Sequence, residues 1–149
     1  MQDLYDYAAM LGVRVEYADL SHLDRTGDYC KRTRVIRLHE GMMPRKTRHV
    51  LAHELAHAVY EDEASMFIDV HRWQEDRADE WAAHLLIGVD DFREAEERHS
   101  GHIPSIAADL YVLEKTVRAF MRTLTRIGDT VYVNAKQGAG QWENKFEVA

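Results

Sequence analysis

Cysteine occurs once in the 149 residues, at Cys30, so no disulfide can close within the chain and a reducing compartment is its natural setting. Nothing near Cys30 in sequence would lower its pKa, so it reads as a half-buried structural thiol and not as a nucleophile. No apolar run approaches the length of a membrane span. The opening Met1-Gln2-Asp3-Leu4-Tyr5-Asp6 lacks the basic-then-apolar layout of a secretory signal, so the expected location is cytoplasmic. Basic residues are in the minority, 19 Lys and Arg against 26 Asp and Glu. The resulting net charge of −7 argues against non-specific nucleic-acid binding by the whole protein and suits a basic partner. Internal repeats are absent too. The length suits one domain with one core, and the apolar fraction of 46% is that of a globular protein.

What is present centres on Val50-Leu51-Ala52-His53-Glu54-Leu55-Ala56-His57-Ala58-Val59. Ala, Leu and Glu favour a helix, and Pro44 sits where a first turn tolerates it. Four residues apart, His53 and His57 then share one face and can hold one Zn²⁺. Glu54 lies beside them, placed to take a proton from a metal-bound water. With nine His in the chain, a chance H-E-x-x-H occurs roughly 1 time in 20, so a third ligand has to support it. The version that continues with Gly and a further His is excluded, because Tyr60 and Glu63 stand at those positions.

The version with a Glu on a second helix, and an Asp one turn later, is met by Trp73-Gln74-Glu75-Asp76-Arg77-Ala78-Asp79-Glu80-Trp81-Ala82-Ala83-His84-Leu85-Leu86. Glu75 and Asp79 share a face, while Ala78, Trp81, Ala82 and Leu85 form an apolar stripe. Glu75 is the expected third ligand. Asp79 is placed to accept the outer N–H of a ligand His and fix its tautomer. A solvated acidic face is the plainer alternative for this helix.

HELAH followed by E-x-x-A-D-x-W-A-A-x-L-L resembles the ImmA/IrrE-type metallopeptidases. The likeness runs from about Leu4 to Ile127 and is strongest over 49–86. Trp81 replaces the family's usual Phe, and Ile87-Gly88 replace its frequent Met-Pro. The resemblance implies a cytoplasmic zinc peptidase with one Zn²⁺ per chain. Such enzymes are often encoded on phages or mobile elements beside a helix-turn-helix repressor, which they inactivate by cleavage. It also implies an α+β, zincin-like fold, with a small antiparallel sheet, two metal-bearing helices and an integral C-terminal helical pair.

Along the chain, Leu4, Tyr7, Ala8 and Leu11 predict a helix over 3–11 that stops at Gly12. Val13–Tyr17 alternates as a strand, and Ala18–Thr26 reads as a loop in which His22 is a solvent-exposed residue. Asp28–Cys30 and Arg34–Leu38 read as a hairpin. In zincins of this type the strand before the metal helix is commonly a sheet edge lining the cleft. Val35, Ile36 and Arg37 are therefore the expected substrate edge. Arg34 and Arg37 would contact acidic substrate positions or serve as edge charges against aggregation.

His49 opens a three-His alternative with His53 and His57, which one straight helix closes poorly around a tetrahedron. His71 is a rival ligand or a group that polarises the substrate carbonyl. His84 points away from the metal face. Glu61-Asp62-Glu63 reads as a solvated turn, and Asp90-Asp91 as the cap of a short helix to Arg98.

Residues 103–127 have helix-turn-helix spacing, with Lys115, Arg118, Arg122 and Arg126 as a basic stripe and Val117, Phe120, Met121 and Leu124 as an apolar one. DNA contact and simple core packing are the two readings, and packing is preferred. A short strand follows at Thr130–Val133. Residues 1–133 are expected to form one domain and 134–149 a flexible tail, with Trp142 and Phe146 as anchors.

Together these readings predict a zinc-dependent endopeptidase in which a metal-activated water attacks a peptide bond. Glu54 is the general base, and Tyr60, His71 or Tyr111 stabilises the oxyanion. Mn²⁺ or Fe²⁺ also suit such a donor set. The alternative is a regulatory, anti-repressor or antitoxin-like binding protein with a structural zinc.

Overall fold

The computed structural model describes residues 1–127, 131–134 and 145–147. They fall into two compact units, Met1–Leu86 and Ile87–Ala149.

In the first unit, α1 (Gln2–Met10) buries Leu4 and Ala8, which lie one turn apart. Gly12 ends it at φ +70, and the next residue, Val13, donates its N–H back to the Ala8 carbonyl at 2.9 Å. A left-handed residue there is what glycine adopts without penalty. The chain continues through β1 (Arg14–Ala18), a short 3-10 turn over Ser21–Leu23, β2 (Gly27–Cys30) and β3 (Val35–His39).

The sheet is mixed, which corrects the expected antiparallel one. Its order is β1-β3-β2, with β1 parallel to β3 (Arg14↔Val35) and β2 antiparallel to it (Tyr29↔Ile36). The strand before the metal helix is thus the centre of the sheet. Val35, Ile36 and Arg37 are not a substrate edge; the edges of this sheet are β1 and β2. Apolar composition explains the placement. Val35, Ile36 and Leu38 are buried, and so apolar a strand is most stable with neighbours on both sides. The polar β2 takes an edge, where exposure costs least. Arg37 is held by Asp28 through two hydrogen bonds, and Arg34 sits at φ +54 in the β2–β3 turn with its guanidinium on the Leu11 carbonyl. Both arginines are structural ties.

Helix α2 (Pro44–Tyr60) lies over the sheet, packing Val50, Leu51, Leu55 and Ala58 with Ile36 and Leu38. Gly27 allows this close approach, because a Cβ there would lie 2.5 Å from Val50 Cγ1. Helix α3 (Ile68–Leu86) packs extensively on α2 and begins before the predicted Trp73. Ala52 and Ala56 on α2 and Ala78 and Ala82 on α3 are fully buried, and short side chains let two helices approach closely.

The second unit contains α4 (Val89–Arg98), α5 (Ile103–Leu110), α6 (Glu114–Thr123) and an antiparallel sheet of β4 (Leu124–Ile127), β5 (Val131–Asn134) and β6 (Lys145–Glu147). Gly88, not Asp90 or Asp91, is the N-cap of α4, and the two aspartates lie inside its first turn. The Phe92 and Phe120 rings pack with centroids 4.9 Å apart. Tyr111, at φ +56, makes the turn between α5 and α6. On α6, Val117 and Phe120 are buried, whereas Met121 is exposed. Within the stretch expected to be a flexible tail, Lys145–Glu147 pair with β5. The expectations for Trp142 and the Phe146 side chain lie outside the described residues. Among those described, no helix is long and apolar enough to cross a membrane.

Candidate metal centre

His53 and His57 occupy successive turns of α2, and their Nε2 atoms approach to 3.1 Å. Across from them α3 delivers Glu75, with Oε2 3.2 Å from His53 Nε2 and Oε1 3.1 Å from His57 Nε2. The helical register of each element thus brings three ligands to one point, with donor atoms within 4.8 Å of one another.

The outer nitrogens are held just as specifically. His53 Nδ1 is 2.8 Å from Asp79 Oδ1, one turn beyond Glu75. His57 Nδ1 is 2.9 Å from Asp62 Oδ2. Carboxylates at both Nδ1 atoms favour the tautomer with its proton outward, leaving each Nε2 lone pair aimed at Glu75.

Asp62 is a correction to the solvated acidic turn expected at 61–63. Glu61 caps α2 in a left-handed conformation at φ +53, and Asp62 then donates its N–H to the His57 carbonyl at 2.9 Å. That turn folds the Asp62 side chain back over the same histidine, where it is 8% exposed. Arg77 bonds its other oxygen and lies between the Tyr60 and Trp73 rings, 3.8 and 4.2 Å from their centroids. A planar guanidinium stacked on two rings is well placed to fix a carboxylate. In sequence the only hint was an Asp directly after the helix bearing His57.

The site opens into a cleft of about 430 Å³ lined by β2 (Gly27, Asp28, Tyr29), the loop before it, α2, the α2–α3 loop and the start of α3. Glu54 is 7% exposed and lies on the cleft wall. Burial pushes its carboxyl up to about 7; His53 and His57 oppose the rise, while Glu75 and Asp28 add to it. For His53, burial disfavours the cation, but hydrogen bonds to Asp79 and Glu75 outweigh it and raise the pKa to about 10. His57 shifts the same way through Glu75 and Asp62. Hydrogen bonds from both histidines hold Glu75 well below the usual carboxylate range. Protons on these imidazoles would compete with a metal ion for the same nitrogens.

The donor set fits a divalent metal. Two neutral nitrogens and a carboxylate form a common zinc ligand set, and tetrahedral bonds of about 2.05 Å place ligand atoms about 3.3 Å apart. The 3.1 Å between the two Nε2 atoms, and the 3.2 and 3.1 Å from each to a different oxygen of Glu75, are close to that edge. A second cluster, His49, His53 and Asp79, is less suited. His49 is 3% exposed, its Nε2 is 3.8 Å from Asp79, and neither His49 nor Asp79 lines the cleft.

The remaining nominated residues separate. His71 lines the cleft mouth but is not among the clustered ligand atoms. Tyr60 is engaged beneath Arg77, and Tyr111 belongs to the second unit. His84 is half-buried on α3, where burial lowers its pKa. Tyr29 was not anticipated. It lines the cleft wall, and its buried hydroxyl has no hydrogen-bond partner among the described residues.

An α+β fold carrying H-E-x-x-H on one helix and an acidic ligand on the next defines the zincin-like, metallopeptidase type. Residues 8–122 match the sequence model of the IrrE N-terminal-like domain, and the chain belongs to that family. A solved structure of a Mycobacterium tuberculosis transcriptional regulator is similar, with TM-score 0.62 and 19% identity, covering 87% of this chain and 44% of that one. At that identity the likeness speaks to fold alone, and this chain spans less than half of the regulator's length. No curated protein matches the chain.

Proposed function

We propose that the chain is a zinc-dependent endopeptidase acting on a helix-turn-helix transcriptional repressor of a phage or mobile element. The observation that carries the peptidase reading is the convergence of His53 Nε2, His57 Nε2 and Glu75 at 3.1–3.2 Å beside the buried Glu54 carboxylate. The repressor as substrate rests on the family resemblance alone. A Zn²⁺ bound by His53, His57 and Glu75 would supply Lewis acidity to a water and to the scissile carbonyl.

The chain's own groups do the rest. Asp79 and Asp62 keep both imidazoles turned toward Glu75. Glu54, buried on the cleft wall, takes the proton of the attacking water on its carboxylate and returns it to the leaving amine. A carboxyl raised toward neutrality suits both halves of that transfer. Of the donors nominated for the oxyanion, His71 is the one lining the cleft, and it is assigned that role.

Glu54→Gln separates this reading from a non-cleaving regulator with a structural zinc. In the peptidase, cleavage of the co-expressed repressor falls by about 10²–10⁴-fold while elemental analysis still finds the zinc. A regulator keeps its effect on the repressor in the variant. Glu75→Ala and His57→Ala lose the metal as well as the activity. Zinc retained by Glu75→Ala moves the third ligand elsewhere, with His71 the next to test.

A further inference from the structure

Part of the charge on the cleft walls goes beyond what the chemistry of hydrolysis requires. Six carboxylates line the cleft (Asp24, Asp28, Glu54, Asp62, Glu63 and Glu75) against the single guanidinium of Arg25. Three of them are neutralised locally: Asp28 by Arg25 and Arg37, Asp62 by Arg77, and Glu75 by the two histidines. Glu54 is the proposed general base, and the remaining two, Asp24 and Glu63, lack a strong counter-charge. Asp24, at the rim, forms no ion pair among the described residues. Glu63 meets only the exposed Lys31 at 3.4 Å, a contact that contributes little in water.

Two further features border the same cleft. One is the free side of β2, which has a sheet partner on β3 alone among the described strands and contributes Gly27, Asp28 and Tyr29 to the wall. Such an edge accepts an extended chain by main-chain hydrogen bonding. The other is an apolar shelf. Ala64 and His71 line the cleft, and between them Met66, Phe67 and Ile68 are 92%, 71% and 73% exposed. Consecutive large apolar side chains left in water mark an interaction surface.

We propose that the cleft selects an extended, basic segment whose Lys or Arg side chains lie between Asp24 and Glu63 while a neighbouring bulky apolar residue rests on Met66, Phe67 and Ile68. This inference deepens the peptidase reading by naming the substrate class, and it rests on that reading for the cut but not for the binding. Basic side chains supply the counter-charge that the walls lack, and an acidic segment is repelled.

The test uses the full chain carrying Glu54→Gln, loaded with zinc, and short fluorescent peptides identical except at their charged positions. The Arg/Lys peptide is expected to bind at least about tenfold more tightly than its Gln counterpart, with the Glu version weakest and the gap narrowing as salt is raised. Replacing its bulky apolar residue by Ser should weaken it severalfold. Adding Asp24→Asn with Glu63→Gln should shrink the charge preference. Both positions are exposed, and Asn tolerates the left-handed conformation of residue 24, so the fold is expected to survive.

Equal binding of the peptides, preference for the Glu version, no binding to any of them, or a gap that ignores the double variant overturns the proposal. Wild-type digestion of a denatured protein mixture, with cut sites mapped by mass spectrometry, reports on the peptidase reading separately. Cuts without basic enrichment sink the specificity alone. Basic-selective binding with no cuts sinks the peptidase alone.

Discussion

Two helix pairs in this chain, α2–α3 and α5–α6, are built from opposite materials. The α2–α3 pair buries ionisable groups: Glu54 is 7% and His49 3% exposed, and the imidazoles are tied to Asp79, Asp62 and Glu75. The α5–α6 pair buries Ile106, Ala107, Val117, Ala119 and Phe120, and its polar Thr123 hydroxyl is satisfied within the helix by donating to the Phe120 carbonyl. Its charged residues Lys115, Arg118 and Arg122 are all exposed. Burying charge is unfavourable unless each group finds a partner, so a network like that of α2–α3 persists where chemistry needs it. A pair that only maintains shape has no reason to contain one.

The largest structural effect should come from the apolar pair. Phe120→Ala removes a fully buried ring packed on Phe92 and should cost about 3–5 kcal/mol, read by denaturant unfolding. Zinc stoichiometry should survive at temperatures where the variant stays folded, because all the ligands come from the first unit. Loss of zinc there would break the division of labour between the pairs.

Next, Asp62→Asn or Arg77→Ala should weaken zinc affinity by about 10–100-fold without unfolding the chain, measured by competition with a chromogenic chelator. Unchanged affinity would demote the Arg77–Asp62–His57 chain to loop packing. Gly27→Ala sharpens the same contrast from the sheet side. Its added methyl group meets Val50 Cγ1 at 2.5 Å and Glu54 Cγ at 3.3 Å. A loss of about 1–3 kcal/mol is expected, together with a fall in activity from a displaced Glu54.

The smallest effect lies in the second unit. Hydrogen bonding from His99 holds the Asp109 carboxyl below its usual range, against a weak opposing effect of burial, and Arg98 adds to the lowering. A carboxylate with a depressed folded pKa contributes stability that is present above its unfolded pKa of 3.8 and lost as pH falls through the folded value. Asp109→Asn should therefore lower stability slightly at neutral pH and make it less sensitive to acid below about pH 4. Urea unfolding of both proteins at several pH values checks the sign.

Much of the candidate site was legible because its parts are periodic. His53 with His57, and Glu75 with Asp79, are each four residues apart, and helical geometry alone puts each pair on one face. The rest depended on partners distant in sequence. Asp62 read as a solvated acid because nothing local shows that a left-handed residue at 61 turns it back onto His57. Arg77 looked like one charge among many until Tyr60 and Trp73 enclosed it. The edge assigned to Val35, Ile36 and Arg37 followed chain order, whereas strand order is decided by which strand most needs neighbours on both sides.

The sequence by itself determined the two helices that carry the candidate ligands, the face on which His53, His57 and Glu75 each stand and the position of Glu54 beside them, because a helix's periodicity is a local property of consecutive residues. Only the tertiary structure decided that α3 meets α2 with Glu75 opposite both imidazoles, that β2 forms the cleft wall, and that Asp62 and Arg77 brace the centre. Those outcomes depend on which apolar faces bury one another, and that is a competition among segments far apart in the chain.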